Sequence, residues 1–416
     1  MKKFGKMNAL YFKNNIQNNY LKKSLSKKLS KNFAKTFTDV ISDINNHNKT
    51  LSILSKKFKF NFKIKDLKKF KKFKKIAIIG MGGSILGSEA IYNFLGDKIN
   101  KKLYFFDDLN PKKNSFFKKQ EKIKTVLFII ISKSGNTIET ITNLINLKIL
   151  KKNSKNIIVI SEKKNNPLYE ISKKLNLFYI EHRNNIGGRY SVLSEVGIVP
   201  AYLMGVNISK LRSNNLKYLI GRKKFFLKDS VLKLTNLLNS KKFRNIIFLN
   251  YAPELEKFLF WCQQLLAESL GKNNKGFLPI ISSVPKDHHS LLQLYLDGPK
   301  DKLFHIFSIK KYSNEKIGKS KITKSFNFIN NKYLHTIKNA QKDALIKTFK
   351  KKNIPFRECI INAISEDTIG ELFNYFILET IFVGNMSKIN PFNQPAVEQV
   401  KVLTKKLLRK KTKKYF

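Results

Sequence analysis

Residues Ile76 to Leu95 read IAIIGMGGSILGSEAIYNFL. A short apolar run of strand length leads into a turn holding Gly80, Gly82, Gly83 and Gly87, and a segment of helical length follows. Glycines at this density let the backbone pass close to another group. A strand that feeds a helix through such a turn is the opening unit of an α/β fold. The fingerprint G-x-G-x-x-G of a dinucleotide site would need glycine at position 85, where Ile85 stands, although Asp107 and Asp108 follow the next apolar run where a ribose-binding acid belongs. A Walker A loop also fails, because no Gly-Lys-Ser/Thr follows at the required spacing.

Outward from this stretch the pattern repeats. KLYFFDD, TVLFIIIS, NIIVIS and LFYIEH are strand-like, and between them lie PKKNSFFKKQEK, TIETITNLINLKIL and PLYEISKKL, each of helical length. Strands that are continuously apolar and alternate with helices imply a parallel sheet covered on both faces. Ligands of such sheets gather beyond the C-terminal ends of the strands.

A second alternation runs through RNIIFLNY, the helical PELEKFLFWCQQLLAESL stopped by Gly271, GFLPIISS, a helix opening near Asp287, KLFHIFSIK, and a helical stretch from Ile369 to about Val383. The expected organisation is α/β with two doubly wound parallel sheets. An N-terminal helical segment spans 1–65, a first α/β domain 66–205, a second 206–385, and a basic C-terminal helical arm 386–416.

The chain has 416 residues and a hydrophobic content of 42%, enough for a large core. Its longest apolar run, VLFIII at 126–131, is too short to span a bilayer. The basic N-terminus lacks the apolar stretch of a secretory signal. Cys262 and Cys359 are the two cysteines, which gives no disulfide framework and fits a reducing cytoplasm. Metal-ligand spacing is absent as well, because the histidines are scattered. Neither a metal nor a cofactor is expected.

The formal net charge of +54 raises the question of nucleic acid. Lysine greatly outnumbers arginine, which stands at 183, 189, 212, 222, 244, 357 and 409. Asparagine, isoleucine and phenylalanine are also abundant, and the codons of all these enriched residues are made largely of A and T. Compositional drift therefore accounts for the charge without a selected ligand. The stretch DLKKFKKFKK, Asp66 to Lys75, reads as a solvated surface rather than an aromatic platform. No specific nucleic acid is expected, although the charge attracts anionic substrates.

The strand TVLFIIIS runs into SKSGNT, Ser132 to Thr137. Hydroxyls, one lysine and free amides just before a helix suit a phosphate monoester. A serine/threonine turn that merely caps the helix is the plainer reading.

Taken together, GMGGSILG, ISKSGNTIET, GGRYSVLS, AESLGKNNKG, KDHHSLLQ and NPFNQPAVEQVK resemble the glucose-6-phosphate isomerase family in order and approximate spacing. The resemblance runs from Ile76 to Lys401 and leaves the first 65 residues unmatched. It implies two sugar-isomerase domains and a cofactor-free, reversible aldose–ketose isomerisation of glucose 6-phosphate and fructose 6-phosphate, a step of glycolysis and gluconeogenesis. It also implies a homodimer with shared active sites. Carried over residue by residue, it places Ser132, Lys133, Ser134 and Thr137 on the phosphate, with Gly83 and Ser84 along the sugar. Glu268 becomes the base, His289 the ring-opening acid–base group assisted by Lys401, and Arg189 the cation that stabilises the intermediate. Asn136 and His288 depart from the commonest residues at their positions, and neither removes a required group.

The residues add physical reasons. One carboxylate can carry a proton from C2 to C1 through an enediolate. Glu268 lies in the last turn before Gly271, where the helix dipole opposes ionisation unless a nearby cation outweighs it. Gln264 precedes it by four residues on the same face and can orient the substrate. Asp287 looks like an N-cap, which would set His289 in a first helical turn, where the dipole favours a neutral imidazole. Arg189 follows two glycines and supplies a permanent charge. Cys262, beside Trp261, reads as core packing. The rival functions are an isomerase that also accepts mannose 6-phosphate and a non-catalytic sugar-phosphate-binding regulator. The latter would lack the acid–base set.

Overall fold

The computed structural model describes residues 10–310, 315–319 and 324–412, with 324 and 410–412 as backbone only. Residues 1–9 and 413–416 of the two expected terminal segments lie outside the described residues.

Among the described residues the strands are β1 (Leu10–Asn15), β2 (Lys75–Ile79), β3 (Lys102–Phe106), β4 (Val126–Ile131), β5 (Ile157–Ser161), β6 (Phe178–Glu181), β7 (Asn245–Asn250), β8 (Leu278–Ser283), β9 (Lys302–Ile309) and β10 (Phe356–Ile361). They form two five-stranded sheets, ordered β3-β2-β4-β5-β6 and β1-β10-β9-β7-β8. Every pairing in the first sheet is parallel. All six residues of β4 are buried, as a central strand covered on both faces requires. Alternate residues serve opposite faces: Ile76, Ile78 and Ile129 enter one core, while Ala77, Ile79 and Ile130 enter another.

The second sheet differs from the expected purely parallel one. Strand β1 pairs antiparallel with β10, with Leu10 opposite Ile361 and Asn15 opposite Phe356. The N-terminal segment is thus not wholly helical: among its described residues a strand, Leu10–Asn15, covers the open edge of the second sheet. The 23-residue helix Lys23–Asn45 follows and packs on the helices Gly221–Ser240 and Glu366–Met386.

Lysine-rich residues 66–75 bury Leu67 and Phe70 and leave Phe73 half-buried. Their apolar side chains face the core, and the lysines meet solvent.

Strand β2 has β3 on one side and β4 on the other. The strand order reverses there, so the loops after β2 and β4 flank a crevice at one edge of the sheet. Helix Glu256–Leu270, from the second sheet's half of the chain, packs against Leu86–Leu95 from the first. Its last turn is thereby carried to that crevice. One continuous core contains Ile78 and Ile129 of the first sheet, Phe248 and Phe307 of the second, and Trp261 and Phe376 from the helices between. Both cysteines are buried. Cys262 lies beside Trp261 in this core, as expected.

Candidate active site

The glycine turn after β2 approaches protein, not only solvent. A Cβ on Gly83 would stand 2.2 Å from the Gly188 carbonyl carbon, and one on Gly82, whose φ is +52°, would stand 2.7 Å from Nε2 of Gln264. Side chains at these two positions are therefore excluded by the segment Gly187–Arg189 and by the helix that carries Glu268. Gly83 is buried and Ser84 half-buried. This close approach delivers Arg189 to the end of the Glu268 helix.

Arg189 is 2% exposed, and its donors are fully engaged. Nε donates to Ser269 Oγ at 2.9 Å, and Nη1 donates to Glu268 Oε2 at 3.0 Å and to Gln394 Oε1 at 2.8 Å. Nη2 donates to the carbonyls of Pro391 at 2.5 Å and Asn393 at 3.2 Å. A guanidinium carries five N–H groups in a rigid fork, and here each has an acceptor. Tyr190 reinforces the junction, with its hydroxyl 2.8 Å from Ser269 Oγ and donating to Pro391 O at 2.7 Å.

The other oxygen of Glu268 accepts from Gln264 Nε2 at 2.9 Å. The i, i+4 spacing of these residues thus fixes the carboxylate from within its own helix. Gln264 Oε1 is buried and has no protein partner. Helix Glu256–Leu270 ends at Gly271, as expected. The cation that could outweigh the helix dipole is present, because Arg189 contacts the carboxylate directly.

Lys272 closes the opposite side, donating to Glu268 O at 2.9 Å and Asn393 O at 2.7 Å. Burial first and the Arg189 charge second lower its pKa to about 8, against the attraction of Glu268. A cavity of about 760 Å³ adjoins Glu268 and Lys272 and is bordered by Asn390, Asn393 and Gln394. That is ample for a small polar ligand.

In the loop after β4, Ser132 is 2% exposed and its Oγ lies 2.8 Å from Thr137 Oγ1. Thr137 occupies the N-cap position of helix Ile138–Asn146, yet its side chain makes no capping bond. The plainer reading of this loop as a capping turn therefore fails for Thr137. Ser134 is exposed at the mouth of the loop. Lys133 donates to Asn184 O at 2.7 Å and lies 3.7 Å from Glu162. Burial lowers its pKa, partly offset by Glu162.

His289 and Lys401 are not joined to this cluster. His289 is exposed, and Lys401 pairs with Glu398 at 2.7 Å on the exposed helix Pro395–Thr412. The expected helix N-terminus at Asp287 is also corrected. Lys286–His289 is a four-residue 3-10 turn, and the next helix is Leu292–Asp297. The Asp287 carboxylate accepts from the hydroxyls of Ser282 at 2.9 Å and Ser290 at 3.5 Å. It caps no amide, and His289 ends the turn instead of opening a helix. Its neighbour His288 lies 2.9 Å from the Tyr251 hydroxyl, with its pKa lowered chiefly by burial and next by His289.

Sequence reasoning missed Gln394, Ser269, Tyr190 and Lys272 as members of the cluster. Their signal was present, since each lies inside a stretch already singled out: NPFNQPAVEQVK, AESLGKNNKG or GGRYSVLS. Among the described residues no group of three or more histidines, cysteines or acids could hold a metal. Nor is any helix long and apolar enough to cross a membrane.

The sequence model of the family described as Phosphoglucose isomerase matches residues 20–277. That span includes Ser132, Arg189, Gln264 and Glu268 and stops short of His289 and Lys401. The chain is 34% identical over 353 residues to the glucose-6-phosphate isomerase of Methanocaldococcus jannaschii, covering 82% of this chain and 86% of that one. It is 33% identical over 352 residues to the glucose-6-phosphate isomerase of Campylobacter jejuni, covering 80% and 85%. In fold, it superposes with a TM-score of 0.81 on a hypothetical protein of Thermus thermophilus, at 22% identity and covering 96% and 100%. The glucose-6-phosphate isomerase of Chlamydia trachomatis superposes with a TM-score of 0.67, at 19% identity and covering 84% and 72%.

Proposed function

The chain belongs to the phosphoglucose isomerase family, and from that premise we propose that it interconverts glucose 6-phosphate and fructose 6-phosphate through an enediolate. The observation that carries the reading is the Glu268 carboxylate, held between Gln264 and Arg189. A base that must take a proton from C2 and return it to C1 needs this fixed geometry.

The phosphate sits at the Ser132–Thr137 loop, where Ser132, Ser134, Thr137 and the Lys133 ammonium provide donors. The sugar lies along Ser84 and the glycine turn, and the free Oε1 of Gln264 accepts from a sugar hydroxyl. His289, assisted by Lys401, opens the pyranose ring by moving a proton from the C1 hydroxyl to the ring oxygen. Glu268 then removes the C2 proton, and the negative charge left on the substrate oxygen faces Arg189. Because all five guanidinium N–H groups have protein acceptors, Arg189 acts mainly as a fixed charge and a brace for Glu268 and Gln394. The same carboxylate delivers the proton to C1 while the hydroxyl proton of O2 passes to O1, which leaves C2 as the ketone carbonyl.

His289 stands exposed and apart from the Glu268 of its own chain, which supports a homodimer in which each His289 serves the neighbouring subunit's site. The two separate sheets support two sugar-isomerase domains, 66–205 and 206–385, with β1 of the N-terminal segment added to the second sheet. Strand Leu10–Asn15 and helix Lys23–Asn45 of the N-terminal segment pack on the second, and Pro391, Asn393 and Gln394 of the C-terminal arm accept from Arg189. Two buried free thiols and the absence of a membrane-crossing helix among the described residues suit the cytoplasm.

A coupled assay that follows fructose 6-phosphate consumption by purified protein, with chelator present, tests the proposal. Full activity is expected. No turnover, or an absolute need for added divalent metal, would overturn it.

A further inference from the structure

We propose that residues 47–62 are a positioning element of the active site, fastened by a clasp in which Arg183 and Arg212 share the ring of Phe58. The proposal rests on the isomerase reading and adds a role for a segment that holds none of the candidate catalytic or substrate-binding residues.

The clasp is built from scarce residues. Arginine is one basic residue in about twelve of this chain, yet two arginines lie over one ring. The Arg183 guanidinium carbon is 4.7 Å from the centre of Phe58, and that of Arg212 is 5.3 Å from it and 5.2 Å from the centre of Phe60. Each also binds the chain around the ring. Arg183 Nη2 donates to Lys59 O and to Asn61 Oδ1, and Arg212 donates to Leu193 O and to Ile53 O. Stacking flat on a ring while aiming several in-plane donors at fixed carbonyls suits a planar guanidinium better than an ammonium. Glu195, 1% exposed, lies 3.9 Å from Arg183 Nε and accepts the Asn61 amide at 2.9 Å.

The segment binds the chain that runs from β6 to Arg189. Thr50 Oγ1 donates to Asn185 O at 2.5 Å, Asn185 Nδ2 donates to His47 O at 3.1 Å, and Asn61 Nδ2 donates to Glu181 O at 3.2 Å. Between these fixed points stands Asn184, whose carbonyl accepts the Lys133 ammonium at 2.7 Å. Four residues after Asn185 comes Arg189. A shift of this loop therefore moves the acceptor that aims Lys133 and the arginine that braces Glu268 together. The clasp touches neither substrate nor Glu268. It acts through Asn184 and Arg189.

The test compares Arg183→Lys, Phe58→Leu and Phe58→Tyr in the full chain. The readouts are KM and kcat for fructose 6-phosphate and, independently of turnover, the Kd for inorganic phosphate by titration calorimetry. Arg183→Lys and Phe58→Leu should raise both KM and the phosphate Kd about 3- to 10-fold, as expected for a sub-ångström displacement of positioned groups. Phe58→Tyr, which keeps the ring, should retain wild-type values. Leu345→Ala, in a separate core under the second sheet, should lower stability without changing the phosphate Kd. If Phe58→Leu fails to fold, Arg183→Lys leaves the ring in place and carries the test. Unchanged KM and Kd in folded Arg183→Lys, with an active wild type, would overturn the clasp. A wild type that lacks isomerase activity but binds phosphate more tightly than the variants would overturn the isomerase reading and uphold the clasp.

Discussion

Nη1 of Arg189 donates at 3.0 Å to the carboxylate of Glu268, and the two residues come from segments 79 positions apart. The same nitrogen donates to Gln394, so three separate stretches of chain meet on one guanidinium. Charge, orientation and the docking of the 390–394 segment are therefore coupled at a single side chain. Mutations here should alter catalysis and stability together, whereas mutations in the serine loop should alter capture.

Glu268→Gln preserves shape and the contact to Gln264 while removing the proposed base. Turnover should fall on the order of a hundredfold to ten-thousandfold. KM should change little, since the Ser132–Thr137 loop is untouched. Steady-state kinetics on a variant with wild-type circular dichroism decides the matter: near-normal turnover would exclude Glu268 as the base.

Arg189→Lys keeps a positive charge and loses the fork. One ammonium cannot serve Ser269, Glu268, Gln394 and two backbone carbonyls, so buried acceptors are left without donors. The expected cost is about 1–3 kcal/mol of folding stability, together with reduced turnover. Urea unfolding monitored by tryptophan fluorescence measures the first, because Trp261 lies in the shared core. A midpoint equal to wild type would show that the five contacts are not a structural brace.

Replacing both Ser132 and Thr137 by alanine removes the paired hydroxyls of the proposed phosphate loop. KM for phosphorylated sugars should rise, with some loss of turnover because phosphate binding helps to place the reacting carbons. If KM for fructose 6-phosphate does not move, the phosphate binds elsewhere.

Lys272 gives a pH-dependent stability signal whose sign is fixed by its lowered pKa. In the folded protein the ammonium loses its proton near pH 8, whereas an unfolded lysine holds it to about the ordinary 10.5. Between these values the unfolded chain binds more protons, so this group's contribution to stability rises with pH through that window. Unfolding midpoints of wild type and Lys272→Met, measured from pH 7 to 10, should therefore shift in favour of wild type above pH 8. A constant difference would contradict the lowered pKa.

The proposed shared sites predict complementation. Glu268→Gln and His289→Ala, dissociated and reassociated together, should give mixed dimers in which one site holds both lesions and the other neither. Random pairing makes about half the dimers mixed, so activity should recover to about a quarter of wild type. Inactivity of demonstrated mixed dimers would place His289 in its own chain's site.

Strands β2 to β9 were legible because each is an apolar run bounded by polar or turn residues. Strand β10, FRECII, was not, since Arg357 and Glu358 interrupt it. Arg357 is tolerated in the interior because Glu379, on the helix Glu366–Met386, meets its Nη1 at 2.6 Å, a partner no local pattern reveals. Strand β1 was missed for a similar reason: its identity as a strand depends on the β10 edge far along the chain. At the site, the local motifs pointed to Glu268, Arg189 and the serine loop. The spending of every Arg189 donor within the protein depends on the distant 390–394 segment and was invisible. The supposed N-cap at Asp287 failed because the chain forms only a four-residue 3-10 turn there, and the carboxylate is taken up by the hydroxyls of Ser282 and Ser290.

The continuous core between the two sheets has a thermodynamic consequence. Two halves that share buried side chains cannot melt independently without one exposing the apolar flank of the other. Heating should therefore produce a single calorimetric transition, with the van't Hoff and calorimetric enthalpies of each subunit in agreement, despite the presence of two separate sheets. The crevice beside β2 would vanish in that same event, so loss of turnover and loss of tertiary structure should trace one curve.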